Sequence, residues 1–362
     1  MNSRGSFKNS RMNFKFQNES NTEYKGTKPI REQSSITEVL ILMIVHVCKK
    51  VLFFDTNLKI ALYLGTLFLL SLIADVLSFP KTYFSRSDNV FNQYFVKIGW
   101  FWTLLLSVPF VSLTSYVINC GKRNTIITAH LSRLIIATIS WYTWTTIFNV
   151  IEIKYGRCNS NKFDNKVTCL KNGHFWNGFD ISGHCFILIY SSLVLIEEAK
   201  AINGWEKIKD YIRDEAYSRS QNDKSPSMNP LKNIKPVEMD ILRTSYEKFT
   251  PYIRALIIAI ACLQVLWDVM LVSTILYYHI MVEKFISGVI AILTWFVTYR
   301  VWYTIPGILP NMPGQGLFKY NNGKVVQINT SRRKASLTNT KHFMGMPINT
   351  AQENIETSED GR

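Results

Sequence analysis

Six blocks of mostly apolar residues constrain the fold of this chain more than any other feature. They cover residues 57–77, 95–118, 126–151, 181–199, 253–277 and 285–305. A helix of about 20 apolar residues spans the hydrocarbon layer of a bilayer, which is ~30 Å thick. Hydrophobic residues make up 47% of the chain, and they are grouped in these blocks, which contain few charged residues. The sequence therefore predicts an all-α polytopic membrane protein with six transmembrane helices.

The segments between and around the blocks are polar. Residues 1–36 and 311–362 contain few aliphatic residues and are predicted to be disordered tails. They flank a membrane domain at 37–310, in which residues 200–252 form a polar loop with a charged helical stretch. The apolar segment 39–48 is too short to cross a bilayer and is predicted to lie at its interface. No short cleavable signal precedes the first block, which we expect to act as the signal.

The net charge of +15 is distributed unevenly across the predicted topology. Six spans put both termini on one side, where Lys and Arg number 9 in the first 56 residues, 2 in 119–125, 10 in 200–252 and 7 from 306 onward. The loops on the other side hold about 8. The positive-inside rule therefore places both tails in the cytosol. No nucleic-acid-binding motif accompanies the charge, so nucleic acid is not an expected partner.

Two of the six cysteines, Cys158 and Cys169, fall in the same predicted non-cytosolic loop, 152–180. In an oxidising lumen they could form a disulfide, although the sequence alone leaves this open. The other four lie in or beside apolar blocks and are expected to be buried thiols.

Two histidines are predicted to meet at one face of the membrane. His184 opens the fourth apolar block and His279 ends the fifth, so consecutive helices bring both to the same interface. Before His184, Asp180 is expected to cap the helix, and Ser182 and Gly183 to shape its start. The free N–H groups and the dipole of such a helix start favour a phosphate. His184 could then donate a proton to a leaving oxygen.

Glu283 follows His279 at i+4, within reach if the helix resumes there. A carboxylate bonded to one ring nitrogen would fix the tautomer and leave the other nitrogen free to attack phosphorus. This chemistry requires no metal, and no cofactor is expected. The alternative is that both histidines are interfacial polar residues, amphipathic like the neighbouring Tyr277 and Tyr278. From these residues alone, the two interpretations are about equally supported.

Several segments resemble one known family. They are the run Gly178–Phe186, which reads GFDISGHCF, the pair Trp267-Asp268, the triplet Tyr277–His279, and the run Thr298–Tyr303. Together they are similar to the fat storage-inducing transmembrane protein family, which is related to the lipid phosphate phosphatases. The resemblance covers about 57–305 and not the tails.

The resemblance implies a protein of the endoplasmic reticulum that acts on fatty acyl-CoA and supports lipid-droplet formation. The implied reaction cleaves the CoA diphosphate, giving acyl phosphopantetheine and adenosine bisphosphate. The implied roles are nucleophile for His279 and acid/base for His184, on the luminal side. Fatty acyl-CoA and neutral lipids are the implied partners, and no protein partner is predicted.

The chain departs from the wider phosphatase pattern. Ile181 stands where a proline precedes Ser-Gly-His, Glu283 replaces an aspartate, and the chain contains no Arg-Pro. The residues that would hold the phosphate are therefore unassigned. Lys171 and Lys284 are candidates on the predicted luminal side.

Two further functions remain as alternatives. The chain could bind and partition neutral lipid without catalysis, with the histidines as interfacial ligands. It could also be a transporter that uses the buried charges Asp268 and Arg300. Transporters commonly contain paired broken helices related by internal symmetry, and no internal repeat is found in this sequence.

Overall fold

The computed structural model describes residues 35–77, 79–80, 82–86, 88–159, 165–220, 229–305, 307–320, 342–343 and 346–347. The predicted disordered residues 1–34 and most of 321–362 lie outside these ranges. The main helices of the described chain are α1 (Ile36–Leu52), α2 (Thr56–Val76), α3 (Gly99–Ile118), α4 (Arg123–Tyr155), α5 (Lys166–Lys171), α6 (Gly183–Ala199), α7 (Lys207–Ser220), α8 (Pro236–Tyr277) and α9 (Met281–Thr304). Strands β1 (Arg157–Cys158) and β2 (Trp176–Asn177) pair antiparallel, as do β3 (His342–Phe343) and β4 (Met346–Pro347).

Helices dominate, and the predicted all-α polytopic membrane fold is confirmed. In the described part of the chain, five helices are long and apolar enough to cross a membrane: α2, α3, α4, α8 and α9. Each contains most or all of one predicted block. The fourth block forms α6, which has 17 residues and is therefore ~25 Å long. Its crossing of the membrane remains a prediction.

Helix α6 is enclosed by the other helices. Every residue from Cys185 to Ala199 is buried, as expected of a helix that is hydrophobic on all sides. Helices α3, α4, α8 and α9 pack around it. Trp100 of α3 stacks on Tyr190 of α6, with ring centroids 5.5 Å apart. The start of α6, which carries His184, is thus held by the core of the bundle.

Helix α8 is much longer than the predicted span at 253–277. It has 42 residues and is ~63 Å long, about twice the hydrocarbon thickness. It begins at Pro236, at a position where proline is favoured because the missing N–H would be unpaired anyway. Residues 200–252, predicted as a loop with one helical stretch, therefore contain α7 and also the first part of α8.

A buried ion pair joins helices at the end of the bundle opposite the histidines. The guanidinium of Arg133 donates two hydrogen bonds to Glu198, at 2.8 and 2.7 Å. Tyr299 donates to the same carboxylate at 2.8 Å. These contacts connect α4, α6 and α9, and a bidentate pair of this kind imposes a defined geometry on the helices that it links.

The segment 307–320 packs against this same end. Arg133 donates to the carbonyl of Asn311 at 2.6 Å. The buried Tyr320 donates its hydroxyl to the carbonyl of Ala201 at 2.7 Å. Residues 311–320, which the sequence analysis assigns to the disordered tail, thus lie in contact with the helices.

The loop between α4 and α6 is closed by covalent and hydrogen bonds. Cys158 and Cys169 form a disulfide, with their Cα atoms 5.9 Å apart, so the pairing that the sequence left open is present. Trp176 donates its indole N–H to the carbonyl of Glu152 at 3.2 Å. Trp176 also covers Gly156, where a Cβ would overlap the indole ring. These contacts fix the loop against the end of α4, before the start of α6.

Candidate active site

The two predicted histidines lie at the same end of the bundle, called here the histidine end. His279 occupies the turn of three residues between α8 and α9, and His184 lies in the first turn of α6. Glu283, in the first turn of α9, connects the two segments. One of its oxygens lies 3.3 Å from Nδ1 of His279, and the other accepts the backbone N–H of Asp180 at 3.1 Å.

Asp180 is a second carboxylate beside His279. Its Oδ2 lies 3.6 Å from Nδ1 of His279. The prediction that Asp180 caps α6 is wrong. Helix α6 begins only at Gly183, so Asp180 is too far upstream to cap it, and its side chain is directed to His279 instead.

Ser182 is the residue that caps α6. Its hydroxyl oxygen accepts the backbone N–H of Cys185 at 3.3 Å, which satisfies one of the free donors of the first turn. Its carbonyl accepts the hydroxyl of Ser287, from α9, at 2.6 Å. Next to it, a Cβ on Gly183 would meet no atom within 4 Å. There is therefore open space beside Gly183 at the start of α6.

His279 has a left-handed backbone conformation, with φ of 58°. In the described chain, the other non-glycine residue with positive φ is Cys120. This conformation costs a non-glycine residue roughly 1–2 kcal/mol and persists only where surrounding contacts enforce it. Such strain is concentrated at functional sites. Here the left-handed backbone places the imidazole beside Glu283 and Asp180.

His184 is half-buried. Lys97, which precedes α3 and is exposed, lies near enough for its charge to act on the His184 ring. Lys97 is not among the site residues predicted from the sequence. Its position at the start of the second apolar block, on the same predicted face as both histidines, was the available signal.

Lys284, a phosphate-binding candidate predicted from the sequence, does not face the site. Its side chain is 1% exposed, and its ammonium donates to the carbonyl of Ile275 at 2.7 Å. Lys171 is exposed on α5, and no ion pair of this residue is found among the described residues. Among these three lysines, Lys97 is the one whose charge acts on His184.

The charges Asp268 and Arg300, named for a transporter, are paired away from the histidine end. Asp268 accepts hydrogen bonds from Lys59 at 3.1 Å, Tyr63 at 2.6 Å and Gln264 at 3.1 Å. This cluster borders a cleft of about 300 Å³ between α2 and α8. Arg300 lies 3.2 Å from Glu197. Both charges named for a transporter thus make contacts that join helices.

No group of three His, Cys, Asp or Glu side chains that could hold a metal ion is found in the described ranges. The fold and the site define a polytopic membrane protein whose polar site lies where two helices begin and a third ends. Residues 80–299 match the family model of the fat storage-inducing transmembrane protein. The chain therefore belongs to this family.

Curated relatives extend the comparison. The chain is 55% identical over 299 residues to a protein of Drosophila melanogaster, covering 83% of this chain and 70% of that protein. It is 35% identical over 270 residues to one of Danio rerio, covering 70% and 90%, and 30% identical over 253 residues to one of Homo sapiens, covering 68% and 82%. All three are named acyl-coenzyme A diphosphatase FITM2. No solved structure matches the chain.

The charges around Asp180 lead to a prediction about its titration. Partial burial raises the pKa of the Asp180 carboxyl, and the charges of Glu152 and Glu283 add to this, whereas His279 and Lys166 oppose it. We expect Asp180 to bind its proton at a pH above ~3.9, the value of an unperturbed aspartate. The Glu152→Gln variant should lower the midpoint, and Lys166→Met should raise it.

Difference infrared titration of the carboxyl band, wild type minus Asp180→Asn, measures this midpoint. A midpoint at or below the unperturbed value, or shifts of the wrong sign in the two variants, would contradict the electrostatic description.

Proposed function

We propose that this chain is a fatty acyl-CoA diphosphatase of the endoplasmic reticulum, acting through histidine-based phosphoryl transfer. Its family and the name shared by its relatives support this activity. In the cell, we propose that it supports lipid-droplet formation and the lipid balance of the endoplasmic reticulum, with fatty acyl-CoA and neutral lipids as its partners.

The observation that carries the mechanism is the pair of carboxylates on one nitrogen of His279. Glu283 and Asp180 lie 3.3 and 3.6 Å from Nδ1. A carboxylate at this nitrogen holds the proton there and leaves Nε2 with its lone pair free. His279 is thus suited to be the nucleophile.

In the proposed reaction, Nε2 of His279 forms a bond to one phosphorus of the diphosphate. The bond from that phosphorus to the bridging oxygen breaks, and His184 donates a proton to the leaving oxygen. Water then attacks the phosphohistidine and releases the phosphorylated product, while His184 accepts the proton from water. His184 therefore acts as an acid in the first step and as a base in the second, while His279 carries the phosphoryl group.

The charge that develops on the phosphate needs positive partners. The open space before Gly183 gives an anion access to the free N–H groups of the first turn of α6. Lys97, whose charge already acts on His184, supplies a cation on the same side. We propose that these groups together hold the diphosphate.

The two histidine substitutions are expected to have different effects. His279→Ala should abolish covalent phosphoryl transfer and leave only background hydrolysis, because the nucleophile is lost. His184→Ala should lower kcat by ~10²–10⁴, the usual contribution of acid/base assistance. Since the residues act as one unit, the double variant should be little slower than His279→Ala alone. The measurement is acyl-CoA cleavage by the purified proteins in one detergent.

Thermal unfolding of each variant provides the control. Neither histidine lies within the enclosed part of the bundle, so both single variants should retain a midpoint close to that of the wild type. Cleavage by a folded His279→Ala variant at the wild-type rate would show that His279 is not the nucleophile.

The role of Lys97 can be separated from that of general surface charge. Lys97→Ala should lower kcat/KM about 10- to 100-fold, because a hydrogen bond to a charged group contributes ~1.5–3 kcal/mol. Lys97→Arg should retain most of the activity. Lys154→Ala is the matched control, since this lysine is exposed at the same end of the bundle. Equal loss in both alanine variants would argue against a specific contact at Lys97.

We also propose that both tails are cytosolic and that the site faces the lumen. The uneven distribution of Lys and Arg supports this topology, and a disulfide in the 152–180 loop is typical of an oxidising compartment. In sealed microsomes, protease should remove a tag from either tail and leave a tag in the 152–180 loop intact. Protection of either tail would reverse the proposed orientation.

One observation favours a second candidate function, the binding of neutral lipid without catalysis. The cleft of about 300 Å³ between α2 and α8 is mostly apolar and contains the polar cluster of Lys59, Tyr63 and Asp268. Polar groups within the membrane commonly mark functional sites. This alternative predicts that no variant and no wild-type preparation cleaves acyl-CoA, and that lipid binding does not depend on the histidines.

A further inference from the structure

The turn that carries His279 is also held by contacts on the side away from Glu283. Helix α8 ends at Tyr277 and α9 begins at Met281, so three residues reverse the direction of the chain. The contacts of Glu283 and Asp180 hold the imidazole, but they do not account for the left-handed backbone of His279. The left-handed backbone is held by contacts to the backbone groups on either side of His279.

The ammonium of Lys284 binds the backbone carbonyl of Ile275. If α8 continued, this carbonyl would accept the N–H of His279. In an α-helix the carbonyl of residue 275 accepts the N–H of residue 279. Because α8 ends before that position, the carbonyl of Ile275 is left without this partner. The buried ammonium of Lys284 takes its place, with Nζ 2.7 Å from the carbonyl oxygen. The end of α8 and the start of α9 are thereby tied together around His279.

Asp75 holds the other side of the same turn. This residue lies in the last turn of α2, and its Oδ2 accepts the N–H of Met281 at 2.8 Å. That N–H belongs to the first residue of α9, where backbone donors lack helical partners and a carboxylate is favoured. The other oxygen of Asp75 lies 3.8 Å from Nζ of Lys284 and balances its buried charge.

Two adjacent residues in α9 therefore contact different groups. Glu283 faces His279 and Asp180, whereas Lys284 faces Ile275 and Asp75. We propose that Asp75 and Lys284 form a positioning pair that holds His279 in its left-handed conformation and so aims its Nε2 at the substrate. This inference rests on the proposed role of His279 as the nucleophile. Asp75 acts through the turn and does not touch the reacting atoms.

The kinetic test compares Asp75→Ala with Asp55→Ala, a matched control at the residue that caps the start of the same helix. Asp55 accepts the backbone N–H of Asn57 at 3.0 Å at the opposite end of α2. Asp75→Ala should lower kcat by ~10²-fold with little change in KM, since a displacement of about 1 Å has that effect on a reacting group. Asp75→Asn, which keeps an acceptor for Met281, should recover part of the loss. Asp55→Ala should have the wild-type kcat.

A second comparison separates positioning from loss of folded protein. In the His279→Ala background, residual hydrolysis should be unchanged by Asp75→Ala, because the residue that it positions is absent. A further loss in that background, or equal effects of Asp75→Ala and Asp55→Ala, would overturn the inference.

A readout without substrate makes the inference independent of the proposed activity. The rate at which diethyl pyrocarbonate modifies His279, followed by mass spectrometry, should change in Asp75→Ala and in Lys284→Met but not in Asp55→Ala. If that change occurs and no protein cleaves acyl-CoA, the positioning pair stands and the proposed function fails. If acyl-CoA is cleaved and neither kcat nor the modification rate responds to Asp75→Ala, the positioning pair is overturned.

Discussion

Backbone groups cannot be left unpaired in hydrocarbon, and the arrangement of this protein follows from that constraint. A chain that crosses a bilayer does so as continuous helix, so irregular backbone is confined to places where helices end. The candidate site occupies such a place. Its polar groups come from the start of α6 and the turn between α8 and α9, where free N–H and carbonyl groups are available to bind side chains or an anion.

The enclosed helix α6 holds one residue of the site, His184, in a fixed position. Because its residues from Cys185 to Ala199 are buried on all sides, the first turn that carries His184 cannot tilt independently of the bundle. His279 is held less directly, through the contacts of Glu283 with Asp180 on one side and those of Lys284 with Asp75 on the other. The site thus combines one residue fixed by packing with one fixed by charge and hydrogen bonds.

The sequence predicted the features that depend on local composition and on the order of segments. Apolar blocks located the helices, and counting the spans between His184 and His279 placed both at one face. The i+4 spacing indicated that Glu283 could reach His279. The true start of α8 was missed because its first residues are polar and amphipathic, so no apolar block marks them.

Features that depend on contacts between distant segments could not be read from the sequence. Asp180 and Ser182 are two residues apart and both are good helix caps. Only the position of the helix start shows that Ser182 caps and that Asp180 is free for His279. Likewise, nothing local distinguishes Lys97 and Asp75 from ordinary charged residues at helix ends. Their relevance arises from which helix ends lie next to each other in the bundle.

The central claim is that His279 attacks phosphorus, and trapping the covalent intermediate tests it most directly. Purified protein would be mixed with acyl-CoA, quenched in alkali, in which a phosphohistidine survives, and digested for mass spectrometry. The account predicts a phosphoryl-linked adduct on the peptide that contains His279, and none in the His279→Ala variant. Its mass identifies which half of the diphosphate is transferred. Turnover without an adduct at His279, or with an adduct only on another residue, would contradict the account.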